Sequence, residues 1–186
     1  RAAAKAAKNA AFYKMPSVHF AVNGLSAEHC AAMFEGAVLA NYSFDKYKSD
    51  AEKIFRVKKF TFPIYANKFS AQVQHAAIAC RNDIMVRDLV SDNSDVVTPE
   101  LLEKVALEVA KKAGIKSNVL HERELKKLGL NLILNVGKAG IDSPRLIALE
   151  YNGEPSSKDK ILFVGKGVCF DTGGLNIKTG DYMLGM

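Results

Sequence analysis

Two lysines and one aspartate stand close together in residues 164–178, VGKGVCFDTGGLNIK, where Lys166, Asp171 and Lys178 are separated by five and seven positions. Glycines flank Lys166 and follow Asp171 at a short interval, which lets the backbone turn closely around both residues. A carboxylate can bind metal ions or share a proton with a second carboxylate, and a fixed ammonium can stabilise developing negative charge. The spacing therefore predicts that these three side chains converge on one glycine-rich turn.

Three interpretations of this segment follow from the residues alone. A phosphate-binding loop needs GxxxxGK followed by Ser or Thr at the start of a helix, whereas here Gly167 follows Lys166. An aspartic protease needs two aspartates that share a proton, so the one Asp-Thr-Gly at Asp171 would require a homodimer and would leave both lysines without a role. The third interpretation is a strand–turn–strand whose lysines are solvated.

The same run closely resembles the leucine aminopeptidase (cytosol aminopeptidase) family of dinuclear-metal exopeptidases. The family pattern is GKG, two residues, Phe or Tyr, Asp-Ser/Thr-Gly-Gly, and Lys four residues later, and residues 165–178 match it without a gap. The chain departs from the family at Cys169, where Thr is common, and we interpret Cys169 as a small packing residue. The similarity extends to residues 34–50 and 86–106, and to 124–151, which resemble the strands before the family's metal site.

The resemblance implies specific roles for four residues. Lys166 would be a metal ligand, and Asp171 would bridge two divalent metal ions, with zinc expected and manganese or magnesium as alternatives. Lys178 would be the catalytic lysine, which binds the substrate by polarising the scissile carbonyl and stabilises the oxyanion. Met186 would line the pocket for the substrate's first side chain. The implied activity is metal-dependent removal of N-terminal amino acids, leucine-like ones preferred, from peptides.

The resemblance also implies residues that this chain does not contain. An aspartate three positions beyond Met186, an Asp-x-Glu pair and an arginine would complete the family's site, and Asp181 stands at the wrong spacing to replace that aspartate. We therefore expect an internal fragment that is inactive by itself. The alternative is an inactive truncated copy, or a scaffold that lacks the remaining metal ligands. The resemblance further implies a homo-hexamer for the full-length protein.

Composition limits the class of protein. Hydrophobic residues make up 48% and charged residues 25% of the 186 positions, which favours a packed chain over disorder. The net charge of +6 is spread along the chain without a basic, aromatic-rich block, so nucleic acid is not the expected partner. No apolar run has the length of a membrane span, and three scattered cysteines, Cys30, Cys80 and Cys169, favour a reducing, cytoplasmic location.

Turn residues and hydrophobic periodicity predict an α/β chain that positions the glycine-rich segment. We expect 1–66 to be the C-terminal part of a smaller α/β domain and 67–92 to be a long linking helix. Residues 93–186 should then form the start of a mixed-sheet α/β catalytic domain. Helix starts are predicted at Ser26 and at Thr98, which precedes a proline, and helix ends at Gly114 and Gly129.

Short β-rich runs predict the strands. They lie in residues 17–22, 57–66, 117–122, 144–151 and 160–167. The last two are nearly continuous apolar runs, as expected for strands that are covered on both faces. Ligands of α/β proteins bind beyond the carboxyl ends of strands, which is where Lys166 and Asp171 would stand after the strand in 160–167.

Overall fold

The computed structural model describes residues 1–50, 53–62 and 70–183. The chain forms two compact units, Arg1–Ser91 and Asp92–Met186, and each mixes helices with short strands, which confirms the predicted α/β class. The three predicted domain ranges stay a prediction, and the helix that was expected to link two domains lies within the first unit. Every helix in the described ranges is too short or too polar to span a membrane.

The first unit contains the strands and the long helix that were predicted for it, although its strands are short. In chain order they are α1 (Ala2–Phe12), β1 (Ser17–His19), α2 (Ala27–Ala40), β2 (Lys59–Thr61) and α3 (Ser70–Ser91). The strands β1 and β2 pair in parallel. Ser26 begins α2 as predicted, because its hydroxyl accepts a hydrogen bond from the backbone N–H of His29 and so satisfies a donor that the helix leaves unpaired. Part of the predicted strand 57–66, from residue 63 onward, lies outside the described residues.

Small side chains let α1 and α2 pack closely. The buried face of α1 consists of alanines: Ala3, Ala7 and Ala10. A methyl group added to Gly36 in α2 would lie 3.6 Å from the backbone nitrogen of Ala4, so the two helix backbones approach each other there. Phe20 adds aromatic surface to this core by stacking on Phe62, with ring centroids 4.8 Å apart.

Polar contacts fix the chain that leaves α2. The hydroxyl of Tyr42 donates a hydrogen bond to Oδ1 of Asp88 in α3 at 2.7 Å. The side-chain amide of Asn41 pairs with the backbone of Val57 twice, since it donates to the carbonyl at 2.9 Å and accepts from the N–H at 3.0 Å. Asn41 thus supplies the hydrogen bonds that a neighbouring strand would otherwise supply just before β2.

The second unit carries the glycine-rich segment. Its elements are α4 (Pro99–Ala113), β3 (Lys116–Leu120), α5 (Glu122–Lys127), α6 (Asn131–Gly137), β4 (Leu146–Glu150) and a 3-10 helix (Gly180–Met183). The predicted limits of α4 are confirmed, because the Thr98 hydroxyl accepts from the N–H of Leu101 and Gly114 adopts the left-handed conformation, with φ 65°. Gly129 has φ 67° just after α5, as its predicted role at a helix end requires.

One prediction for the second unit is wrong in part. The apolar run in residues 131–137, for which no element was predicted, forms the helix α6, because a short apolar run fits either a helix or a strand. The strand β4 exists, but it pairs antiparallel with β3 and is not covered on both faces, since Leu149 is 43% exposed. A two-stranded antiparallel sheet can leave one face in water.

The predicted buried strand in residues 160–167 is also wrong. The structure has no strand there, and the apolar run Ile161–Val164 has side chains that are 84–90% exposed. A strand forms only when a neighbouring strand accepts its backbone hydrogen bonds, and no described residue pairs with this run. Lys166 and Asp171 therefore follow an exposed segment without regular secondary structure rather than the end of a buried strand.

Two leucines of the second unit differ strongly in burial. Leu125 in α5 is fully buried where α5 packs on β3 and α6, whereas Leu132 in α6 is 83% exposed. We expect Leu125→Ala to lower the free energy of unfolding by about 2–5 kcal/mol, because it leaves a cavity. We expect Leu132→Ala to change it by less than about 0.5 kcal/mol. Urea unfolding followed by circular dichroism tests this, and equal losses in the two variants would contradict the assignment.

Candidate functional site

A closed turn brings Asp171 and Lys178 together. Gly173 and Ile177 form an isolated antiparallel bridge. The backbone N–H of Lys178 donates to the carbonyl of Thr172 at 2.9 Å, so the two arms of the turn are held side by side. Residues that are seven positions apart in sequence therefore become neighbours in space.

Gly173 is the residue that the turn requires. Its φ is 97°, a region that side-chain-bearing residues rarely adopt, and a methyl group there would lie 2.4 Å from the carbonyl oxygen of Asn176. Gly174 has open space at the same position, with no atom within 4 Å. Of the two adjacent glycines, the first is therefore fixed by sterics and the second is not.

The turn supplies donors to both oxygens of the Asp171 carboxylate. Oδ1 accepts a hydrogen bond from the backbone N–H of Gly173 at 2.8 Å. Oδ2 accepts one from the ammonium of Lys178 at 3.0 Å, and the same ammonium donates to the backbone carbonyl of Asp171 at 3.1 Å. The side chains remain partly open to solvent, with 40% of Asp171 and 30% of Lys178 exposed.

These contacts lower the pKa of Asp171. The largest cause is the hydrogen bond from the Gly173 N–H, followed by the hydrogen bond and the charge of Lys178, and the charge of Lys166 acts in the same direction. Each of them stabilises the carboxylate relative to the neutral acid. Asp171 is therefore ionised at neutral pH, as a metal ligand or an anionic partner of a cation must be.

The predicted convergence is confirmed for one pair of side chains. Asp171 and Lys178 are in direct contact. Lys166 lies on the exposed segment before the turn, and its described effect on Asp171 is electrostatic. Met186 lies outside the described residues. The roles of Lys166 and Asp171 as metal ligands, and of Lys178 in catalysis, stay predictions.

The described residues supply part of a ligand set for a divalent metal ion. Asp171 provides an ionised carboxylate, which fits such an ion, and Lys166 provides an amine that can ligate only in its neutral form. Within residues 1–50, 53–62 and 70–183, no group of three His, Cys, Asp or Glu side chains is placed to hold an ion. A complete site would therefore need ligands in addition to those that the structure describes.

Sequence reasoning missed the surface next to Lys178. An open depression of about 490 Å³ is lined by Asn176, Ile177, Lys178, Thr179 and Tyr182. The sequence signal near it is the glycine at 180, which has φ 58° and is the first residue of the short helix that carries Tyr182. The depression lies on the same turn as the Asp171–Lys178 pair, so a ligand held there would approach the lysine.

The neighbouring Cys169 is half-buried, and burial is the main cause that raises the pKa of its thiol, with the charge of Asp142 as a second cause. The protonated thiol is a poor metal ligand. This finding supports the interpretation of Cys169 as a packing residue.

Comparisons with known proteins agree on one family. The family described as "Cytosol aminopeptidase family, catalytic domain" matches residues 84–186, and "Cytosol aminopeptidase family, N-terminal domain" matches residues 1–51. A "Probable cytosol aminopeptidase" of Persephonella marina is 38% identical over 155 residues, which are 82% of this chain and 31% of that protein. The chain spans about a third of the length of the curated relatives that it matches.

Solved structures agree with the sequence comparison. The crystal structure of a cytosol aminopeptidase from Coxiella burnetii matches with a TM-score of 0.76 and 26% identity, over 91% of this chain and 35% of that one. The bottromycin maturation enzyme BotP in complex with Mn matches with a TM-score of 0.63 and 26% identity, over 81% of this chain and 33% of that one.

Paired glycine variants test the turn. Gly173→Ala should open it, because the methyl group collides with Asn176. The donors then leave Asp171, and its pKa should rise toward the ordinary value of 3.8. Gly174→Ala is the matched control and should keep the low pKa. Carbon-13 NMR titration of the Asp171 carboxyl measures both, and an unchanged pKa in Gly173→Ala would contradict the assigned geometry.

The direction of this pKa shift determines how the stability of the fold depends on pH. Because folding lowers the pKa of Asp171, the contribution of its contacts to stability is present above the unfolded pKa and is lost as pH falls through the native pKa.

Proposed function

The chain belongs to the cytosol aminopeptidase family, and on that premise we propose that the whole protein is a metal-dependent aminopeptidase that removes N-terminal residues, leucine-like ones preferred, from peptides. The observation that carries this proposal is the contact between Asp171 and Lys178, in a turn that requires glycine at position 173. This pair joins an ionised carboxylate to a cation beside an open depression. The activity is proposed for the whole protein, because this chain spans only about a third of the length of the curated relatives that it matches.

Asp171 and Lys166 are the residues that would hold divalent metal ions. Zinc is the expected metal, and manganese or magnesium is an alternative; the structural relative BotP was solved with Mn. Two bound ions would supply an activated water and a polarised peptide carbonyl. The low pKa of Asp171 supports its part, because a carboxylate must be ionised to bind an ion.

Lys178 would act on the substrate. Its backbone is held by the hydrogen bond to Thr172, so its ammonium can reach only the surroundings of the turn. A cation fixed at the position where the oxyanion develops stabilises the transition state, and one such donor is worth about 2.7–4 kcal/mol in a well-studied case. Met186 would contribute to the pocket for the substrate's first side chain.

The proposal extends to the setting of the whole protein. Its partners would be peptide substrates and further copies of itself in a homo-hexamer, and its location would be the cytoplasm. Neither a membrane nor nucleic acid is part of the proposal.

Activity of the full-length protein tests the role of Lys178. Lys178→Ala should abolish turnover of a leucyl anilide while the metal content stays at the wild-type level, because the substitution removes the oxyanion's cation and no proposed ligand. Lys160→Ala changes the charge equally on the exposed segment and serves as the control. Wild-type turnover by Lys178→Ala would contradict the role. Inhibition by a chelator, and none by a statine-type inhibitor, would separate this mechanism from the aspartic protease.

A scaffold without catalysis is the second candidate, because the described residues do not complete a metal site. In that case the 186-residue chain would fold and bind no metal tightly. Metal analysis after dialysis against a weak chelator measures this, with Asp171→Asn as the control. Two ions held tightly per wild-type chain would contradict the scaffold.

A further inference from the structure

The Asp171 carboxylate already has a cation, and that cation is part of the protein. The Lys178 ammonium lies 3.0 Å from Oδ2 and 3.1 Å from the backbone carbonyl of the same residue. A divalent ion on Oδ2 would share that oxygen with the Lys178 ammonium, and two cations so near each other repel. Lys178 and the ion therefore compete for Oδ2.

We propose that Lys178 is a latch on Asp171: its ammonium occupies Oδ2 and balances the negative charge of the ionised carboxylate until a divalent cation displaces it from that oxygen. The inference rests on the proposed function, in which Asp171 is a metal ligand. It adds a competition between Lys178 and the ion for one oxygen.

The latch opens at Oδ2 and not at Oδ1. The donor to Oδ1 is the backbone N–H of Gly173, and the turn around it is held by the bridge between Gly173 and Ile177 and by the hydrogen bond from the Lys178 N–H to the Thr172 carbonyl. The donor to Oδ2 is the end of a flexible side chain that is 30% exposed and can rotate toward solvent. The turn can thus release one oxygen while it keeps the carboxylate oriented through the other.

The released ammonium stays at the site. The backbone of Lys178 remains tied to Thr172, and its side chain borders the depression lined by Asn176 and Tyr182. Binding of the ion would therefore move Lys178 from Asp171 toward the space where a substrate carbonyl can bind. The order of events follows: Lys178 is available to a substrate only after Asp171 has taken an ion.

Manganese binding to the 186-residue chain tests the latch at a fixed pH of 7. Free and bound Mn²⁺ are distinguished by electron paramagnetic resonance. Lys178→Met should bind Mn²⁺ about two- to fivefold more tightly than the wild type, the factor expected when one exposed ion pair is removed. Lys178→Arg keeps the cation and should bind as the wild type does.

Two further variants separate the possible causes. Lys160→Met removes an equal charge from an exposed position of the same segment, and it should change the affinity less than Lys178→Met does. Asp171→Asn should weaken binding in every background. Affinity in Lys178→Met no higher than in Lys160→Met, with Asp171→Asn still weakened, overturns the latch alone. Unchanged affinity in Asp171→Asn overturns both the latch and the proposed role of Asp171 as a ligand.

Two outcomes remain, and both are decisive. Absence of Mn²⁺ binding in Lys178→Met up to millimolar concentrations overturns the latch, because removal of the ammonium would then not have made the Asp171 carboxylate available to the ion. In the wild type, Zn²⁺ should shift the Nζ signal of Lys178 in a nitrogen-15 NMR spectrum toward that of a solvated lysine. An Nζ signal that stays in place at saturating Zn²⁺ shows that the ammonium has not left Asp171 and overturns the latch.

Discussion

The steric constraint at Gly173 is the condition on which the candidate site depends. Only a residue without a side chain can hold φ at 97° with the Asn176 carbonyl so close, and in this conformation the Gly173 N–H donates to Asp171. The closed turn then places Lys178 against the same carboxylate. The charge pair and the low pKa of Asp171 both depend on this turn, and residues of its second arm also line the depression beside Lys178.

Local chemistry made part of the structure predictable. Ser26, Thr98 and Gly114 were identified as helix limits because each ends or begins a helix through hydrogen bonds or dihedral angles within its own turn. The contact between Asp171 and Lys178 was predictable for the same reason, since glycines at that spacing close a short loop. Which oxygen each donor occupies was not predictable, because it depends on the rotamer of a long side chain.

Non-local pairing made the rest unpredictable. A strand in 160–167 requires a neighbour that residue order does not specify, and the structure leaves this run exposed. The direction of β4 was missed because an apolar run shows burial but not whether its partner is parallel or antiparallel. Residues 131–137 show that hydrophobic periodicity does not assign a short element, since an apolar run of seven residues fits either a helix or a strand.

The lysines on either side of the exposed run Ile161–Val164 also affect how copies of the chain would pair. Exposed apolar, β-branched and aromatic side chains in a row favour strand pairing between copies of a chain. Lys160 and Lys166 bracket the run, so copies aligned in parallel register would bring like charges together at both ends. The charge of Lys166 thus disfavours such pairing, and this effect is independent of any role of Lys166 as a metal ligand.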